Sequence, residues 1–234
     1  MGMHHNPRIV RDGLVLALDA ADVNSYPGSG TTWYDLSGND FDAPSVGSPT
    51  YDSTSRSFSF DGTDDRFAAE VTTPFDLYSL EVAFKPHKEI APNTSPNGSD
   101  YSLLGIRASA GNNNGINVYE WTGGMTNETV SIWSHDGFAT GITTTVTLAF
   151  HIMAFNWNGS TYDIWLDGEK QSTIARSTGH AALIAGVDYI DPGYSVGYDY
   201  YHSGNISAVR AYNRALSDDE VLQNYEAQKT RFGL

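Results

Sequence analysis

The stretch TLAFHIMAFNWNGSTYDIWLDGEK, residues 147–170, decides the fold class. From Thr161 it alternates: Tyr162, Ile164 and Leu166 fall on one side of an extended chain, and Asp163, Trp165 and Asp167 on the other. That is the period-two pattern of a strand with one face in a core. Asp167-Gly168 follows, a pair that tolerates the positive φ angles of a tight hairpin. The earlier part, Thr147 to Trp157, is apolar on both faces, which predicts a central strand lying between two layers.

Working outward, the same punctuation recurs along the chain. Runs at 14–18, 56–60, 65–71, 79–86, 101–107, 115–121, 129–134, 147–157, 161–168, 182–186, 193–198 and 205–212 each stop at Gly, Asn, Asp or Pro or at a polar stretch. In SLEVAFKP (79–86), Leu80, Val82 and Phe84 share one face, with Glu81 and Lys85 opposite. Many short strands predict an all-β, two-sheet antiparallel sandwich. Composition agrees, with 23 Gly, 14 Tyr, 10 Phe and 5 Trp to build turns and pleated surfaces. One helix is predicted near the end. Ser217-Asp218-Asp219-Glu220 has capping-box spacing, and the helix should run to about Gln228, leaving Arg231 to Leu234 as a tail. Residues 1–12 form an N-terminal arm and 13–234 one domain. Lys88 to Asp100 is expected to be an exposed loop.

The formal charge of −15, without a Lys/Arg cluster, argues against a nucleic-acid partner. No cysteine is present, so disulfides and thiolate chemistry are excluded. No apolar run approaches the ~18 residues of a membrane span, and MGMHHNPRIV lacks the apolar stretch of a signal peptide.

Three stretches carry a resemblance: GLVLALDAAD (13–22), FSFDGTDDRF (58–67) and GNISAVRAYNRALSDDEVLQNYEAQ (204–228). Together with the TYDIWLDGEK hairpin they resemble laminin G-like (concanavalin A-like lectin/glucanase) jelly rolls. The opening residues 6–40 and the ending NYEAQKTRFGL are similar to a subset of these domains in tailed-bacteriophage virion proteins. The resemblance implies two curved antiparallel sheets, often with a calcium ion near an edge, used to bind glycans or proteins. It does not imply catalysis, because one fold hosts many functions.

Calcium takes six to eight oxygens from flexible loops. Asp61, Asp64 and Asp65 lie within five residues around Gly62, and Asp19 and Asp22 would join them if the first strand neighbours 56–60. Ordinary turn chemistry is the alternative reading. A sugar site needs aromatic platforms beside polar groups, and the candidates are Trp33, Tyr34, Trp121, Trp165, Tyr200 and Tyr201. Tyrosines that cover a sheet edge or a neighbouring copy are the alternative.

Catalysis is not expected. Glycosidases need a carboxylate pair across the scissile bond, and the nearest approach, Asp163, Asp167 and Glu169, straddles a turn. His151, inside an apolar strand, reads as a hydrogen-bonded core or interface residue. The expected protein is a non-enzymatic, homo-oligomeric component of a virion surface, in capsid decoration, tail fibre or baseplate. Its partners would be other virion proteins and host-surface glycans, with the arm around Ile9 and Val10 either extended on another subunit or left as a solvated tail. A calcium-dependent lectin is the alternative, and a glycoside hydrolase a more distant one.

Overall fold

The computed structural model describes residues 7–86, 101–108, 116–121, 129–134, 138–141, 147–175, 184–195 and 200–234. The predicted loop at 88–100 lies outside them. The first part of the chain forms β1 (Leu14–Asp19), β2 (Thr32–Trp33), β3 (Ala43–Val46), β4 (Thr50–Asp52), β5 (Ser57–Asp61), β6 (Arg66–Phe67), β7 (Ala69–Leu77) and β8 (Ser79–Pro86). The middle forms β9 (Tyr101–Ala108), β10 (Ile116–Trp121), β11 (Thr129–Ser134), β12 (Phe138–Gly141), β13 (His151–Trp157), β14 (Thr161–Leu166) and β15 (Glu169–Ala175). The last part forms β16 (Ile184–Pro192), β17 (Tyr194–Ser195), β18 (Tyr200–Tyr201), β19 (Ser203–Tyr212) and α1 (Asp218–Phe232).

An eight-stranded antiparallel sheet runs β15-β14-β13-β8-β19-β5-β4, with β1 also paired to β19. A six-stranded sheet runs β12-β11-β10-β9-β16-β7. Strands β2, β3 and β6 make a small third sheet, and β17 and β18 a two-stranded ribbon. This is the expected all-β sandwich with one C-terminal helix. Its main core joins Leu16, Phe58, Val82, Phe84, Phe155 and Ile164 of the large sheet to Leu77, Leu104, Ile106, Val187 and Ile190 of the other. At one end Phe58 gathers the rings of Phe67, Tyr26, Trp33 and Tyr51 at 4.6, 4.7, 4.9 and 5.5 Å.

The Asp167-Gly168 hairpin forms as predicted, with φ of 51° and 79°. Glycine is required at 168 for a second reason, because a Cβ there would lie 2.6 Å from the Tyr225 ring. The run 147–157 is corrected. Strand β13 starts only at His151 and sits within the large sheet, between β8 and β14, with the main core on one face and α1 on the other. Met153 and Phe155 enter the main core, while Ile152, with Ala83 and Ala208, packs beneath Tyr225 and Phe232 of α1. The helix thus supplies the second apolar environment. The run 65–71 also divides, into β6 and β7. Strand β7 continues through Pro74, which is tolerated because β7 is the edge of its sheet.

The helix begins as predicted. The Ser217 hydroxyl accepts from the Glu220 amide, and Glu220 accepts from the Ser217 amide. It runs beyond Gln228 to Phe232, where Gly233 in a left-handed conformation donates back to the last turn. Arg231 and Phe232 are therefore helical, and Phe232 stacks on Phe150 at 4.9 Å. The N-terminal arm is also corrected. Val10 is buried on this chain's own helix, its amide donating to Asn224 Oδ1 at 2.8 Å, and Gln223 donates to the Arg8 carbonyl at 2.6 Å.

Candidate carbohydrate and metal sites

Asp61, Asp64 and Asp65 do converge, with a carboxylate oxygen of each within 4.8 Å of the others. Gly62, at φ 78°, makes the turn between them. Gly47 lets the β3–β4 connection approach, since a Cβ there would meet the Asp64 carbonyl at 2.7 Å. Asp65 is buried and accepts the amides of Ser48 at 2.6 Å and Asp61 at 3.2 Å. Burial raises its pKa against those two bonds, and the Asp61 and Asp64 charges raise it further. Three carboxylates crowded at one corner fit a hard cation, whose remaining oxygens would come from backbone and water.

Asp19 and Asp22 do not join that cluster. Asp19 accepts from Arg210 Nη2 at 2.9 Å and Arg231 Nη1 at 2.7 Å, so it ties β1 to β19 and to the end of α1. Asp22 closes its own turn, taking both the amide and the side-chain nitrogen of Asn24 at 2.9 Å. The first strand pairs with β19, not with β5, and that separates these residues from the corner.

Of the aromatic candidates, Trp33 is corrected: it is wholly inside the core and offers no face to a ligand. Trp165 is corrected as well. It is buried with Leu216 and Val221 at the start of α1, under the Lys170 ammonium 4.9 Å from its ring. Tyr34 is 43% exposed. Tyr201 is partly exposed and pairs with Tyr194 at a ring separation of 5.0 Å. The side chains of Trp121 and Tyr200 lie outside the described residues.

The carboxylates nearest to a glycosidase pattern have structural partners. Asp163 accepts from Thr173 at 2.7 Å and pairs with Lys170 at 3.3 Å. Asp167 caps Ile152 and meets His151 Nδ1 at 2.7 Å, while His151 Nε2 reaches Thr147. A further group has no signature motif in the sequence. Asp191 on β16 is fully buried, and neither of its oxygens accepts a hydrogen bond among the described residues. Its Oδ2 faces Arg107 Nε at 3.4 Å and Arg66 Nη1 at 3.9 Å. Burial pushes its carboxyl up to about 6, against the pull of the two arginines. Arg107 lies over the Tyr189 ring at 3.9 Å and Arg66 over the Tyr194 ring at 4.6 Å. These residues come from separate strands, so no spacing announces them. The one available signal was a pair of arginines within strands of a very acidic chain.

Three comparisons bear on this arrangement. A family model described as the concanavalin A-like lectin/glucanases superfamily matches residues 89–222. No curated protein sequence matches the chain. Among solved structures, a Trypanosoma rangeli sialidase in complex with sialic acid has a TM-score of 0.66 at 15% identity, over 94% of this chain and 33% of that one. The binding domain of botulinum neurotoxin serotype D gives 0.67 at 14% identity, over 94% and 53%. Domain 4 of AbnA, a GH43 extracellular arabinanase from Geobacillus stearothermophilus in complex with arabinotriose, gives 0.67 at 15% identity, over 91% and 98%. The chain thus spans a third to about half of the sialidase and toxin chains, and nearly all of the arabinanase domain. At such identities the likeness is one of fold. The family match, however, spans more than half of the sequence on the expected two-sheet architecture, and the chain belongs to the concanavalin A-like lectin/glucanase superfamily.

Proposed function

We propose that this chain is a non-catalytic, lectin-like domain that attaches a bacteriophage virion to a glycan-bearing surface. The observation that carries the binding role is the contrast between its polar groups. Asp163, Asp167 and His151 are held in structural bonds, while Tyr34, Tyr201 and the arginines stacked on tyrosine reach solvent. Aromatic faces beside polar edges are what sugar rings require. Domain 4 of the arabinanase, a chain of matching extent, is itself in complex with an oligosaccharide. The virion setting rests on the resemblance of residues 6–40 and of NYEAQKTRFGL to phage proteins.

In this reading the Asp61, Asp64 and Asp65 corner holds a calcium ion that fixes the adjoining turns. A glycan array probed with and without chelator tests the function. Binding to a defined set of sugars, weakened by chelation, is expected, together with a thermal midpoint that calcium raises in the native chain but not in Asp64→Asn. No binding across the array would overturn the lectin role. Release of reducing ends from a polysaccharide would overturn its non-catalytic character.

A further inference from the structure

On the six-stranded sheet, Ile190 points into the core, so its neighbours Tyr189 and Asp191 face away from it. The register sets Arg107 opposite Tyr189, and Gly105 opposite Asp191. Gly105 brings no side chain to that position. The guanidiniums of Arg107 and, from the small sheet, Arg66 close over the Asp191 carboxylate, both within 4 Å of the same oxygen. Each is also backed by a tyrosine ring.

Two cations gather around Asp191 in a chain of formal charge −15, with Asp188 and Glu70 as the other charged neighbours of the group. Both cations are accessible, the Arg66 and Arg107 side chains being 26% and 36% exposed. Neither guanidinium makes a hydrogen bond among the described residues, and Arg107 Nε is buried without one. Ion pairs of 3.4 and 3.9 Å without hydrogen bonds are not a finished structural bridge. Guanidiniums seated over aromatic rings, with donor edges still unspent, are prepared for a planar oxyanion.

We infer that Arg66 and Arg107, over the buried Asp191, form a subsite for the carboxylate of an acidic sugar, with Tyr189 and Tyr194 beside the ring. The inference deepens the glycan-binding reading and rests on it. The sugar carboxylate accepts from the outer edges of the guanidiniums, and Asp191 holds their inner edges in place. A neutral sugar of the same shape leaves those donors without a partner, so the subsite discriminates by charge.

Isothermal titration with trigalacturonate and with its methyl ester, at low and at physiological salt, tests this. The acid should bind at least about tenfold more tightly than the ester, since hydrogen bonds to charged groups carry roughly 1.5–3 kcal/mol. Arg107→Gln and Arg66→Gln should each erase most of that preference while the circular dichroism spectrum is retained. Asp191→Asn should tighten binding of the acid several-fold by removing a repelling charge, an effect that misfolding does not produce. Equal affinity for acid and ester, or an unchanged preference in the arginine variants, overturns the subsite. Binding of neutral glycans alone sinks this inference and leaves the lectin reading intact, whereas failure to bind any glycan sinks both.

Discussion

Glu81 and Asp191 are both carboxylates on sheet faces turned away from the core, and both sit beside arginine, but the two faces have been finished in different ways. Glu81 accepts from Arg210 Nη1 and from Gln228 Nε2, each at 2.7 Å. Arg210 also donates to Gln228 Oε1 and Asp19, so every charge there has a close partner. Helix α1 covers the group, and the Glu81 and Asp19 carboxylates hold Arg210 above its ordinary pKa despite the cost of its burial. Asp191 has no helix over it and no hydrogen bond to either oxygen among the described residues. A buried charge that is fully bonded braces a structure. One left short of partners marks a surface still waiting for something.

Breaking the closed network should have the largest effect. Arg210→Ala leaves Glu81 buried without its cation, and a loss of about 3–5 kcal/mol in urea unfolding is expected. Replacing the pair together, Arg210→Met with Glu81→Leu, should recover most of that loss. A double variant no better than the single one would show that the network is needed for packing beyond its charges.

The open group should behave in the opposite sense. Its carboxyl is displaced from 3.8 to about 6, so its contribution to stability is full below pH 3.8 and is lost as pH rises through about 6. The displacement corresponds to about 3 kcal/mol. Asp191→Asn should therefore match or exceed the native chain at pH 7.5, and the native-minus-variant difference should change between pH 4 and 7. Glu220 titrates in another window. Its hydrogen bonds with Arg214 lower it to about 2, and the stability they give is present above 4.5 and lost as pH falls through about 2. A flat difference for Asp191→Asn across pH 4–7 would make the two faces electrostatically equivalent.

The smallest effect belongs to the lid of the closed face. Ser217→Ala removes the cap of α1 and should cost about 1 kcal/mol, read as a lower thermal midpoint. If carbohydrate affinity changed with it, the helix-covered side and the arginine-bearing side would be coupled, and the contrast between them would need redrawing.

Alternation made the faces of β8 and β14 legible before any coordinates, and Asp-Gly and Ser-x-x-Glu made the hairpin and the helix start legible as well. What lay over the outer face was not. The two-sided apolar run of β13 carried that information, but an apolar face does not say whether a sheet or a helix will cover it. Of the strands that escaped notice, β4, β12 and β15 are edges of the two large sheets, where a strand buries too little to need an apolar stripe, and β3 belongs to the small third sheet. The same logic divides the sites. Asp61, Asp64 and Asp65 could be found because a single turn joins them, and Trp33 was misplaced because neighbouring polar residues made its loop look like surface. Arg66, Arg107 and Asp191 meet only through tertiary pairing.

Among the described residues strand β1 has a single partner in its sheet, β19, with Leu16 set against Ala211 and Leu18 against Val209. An emerging polypeptide therefore carries Leu14 to Leu18 unpaired until β19 has been synthesised. Such distant pairing makes closure of the sandwich slow, on the order of milliseconds to seconds. The opening hydrophobic strand must be kept from sticking to other nascent chains until its counterpart arrives.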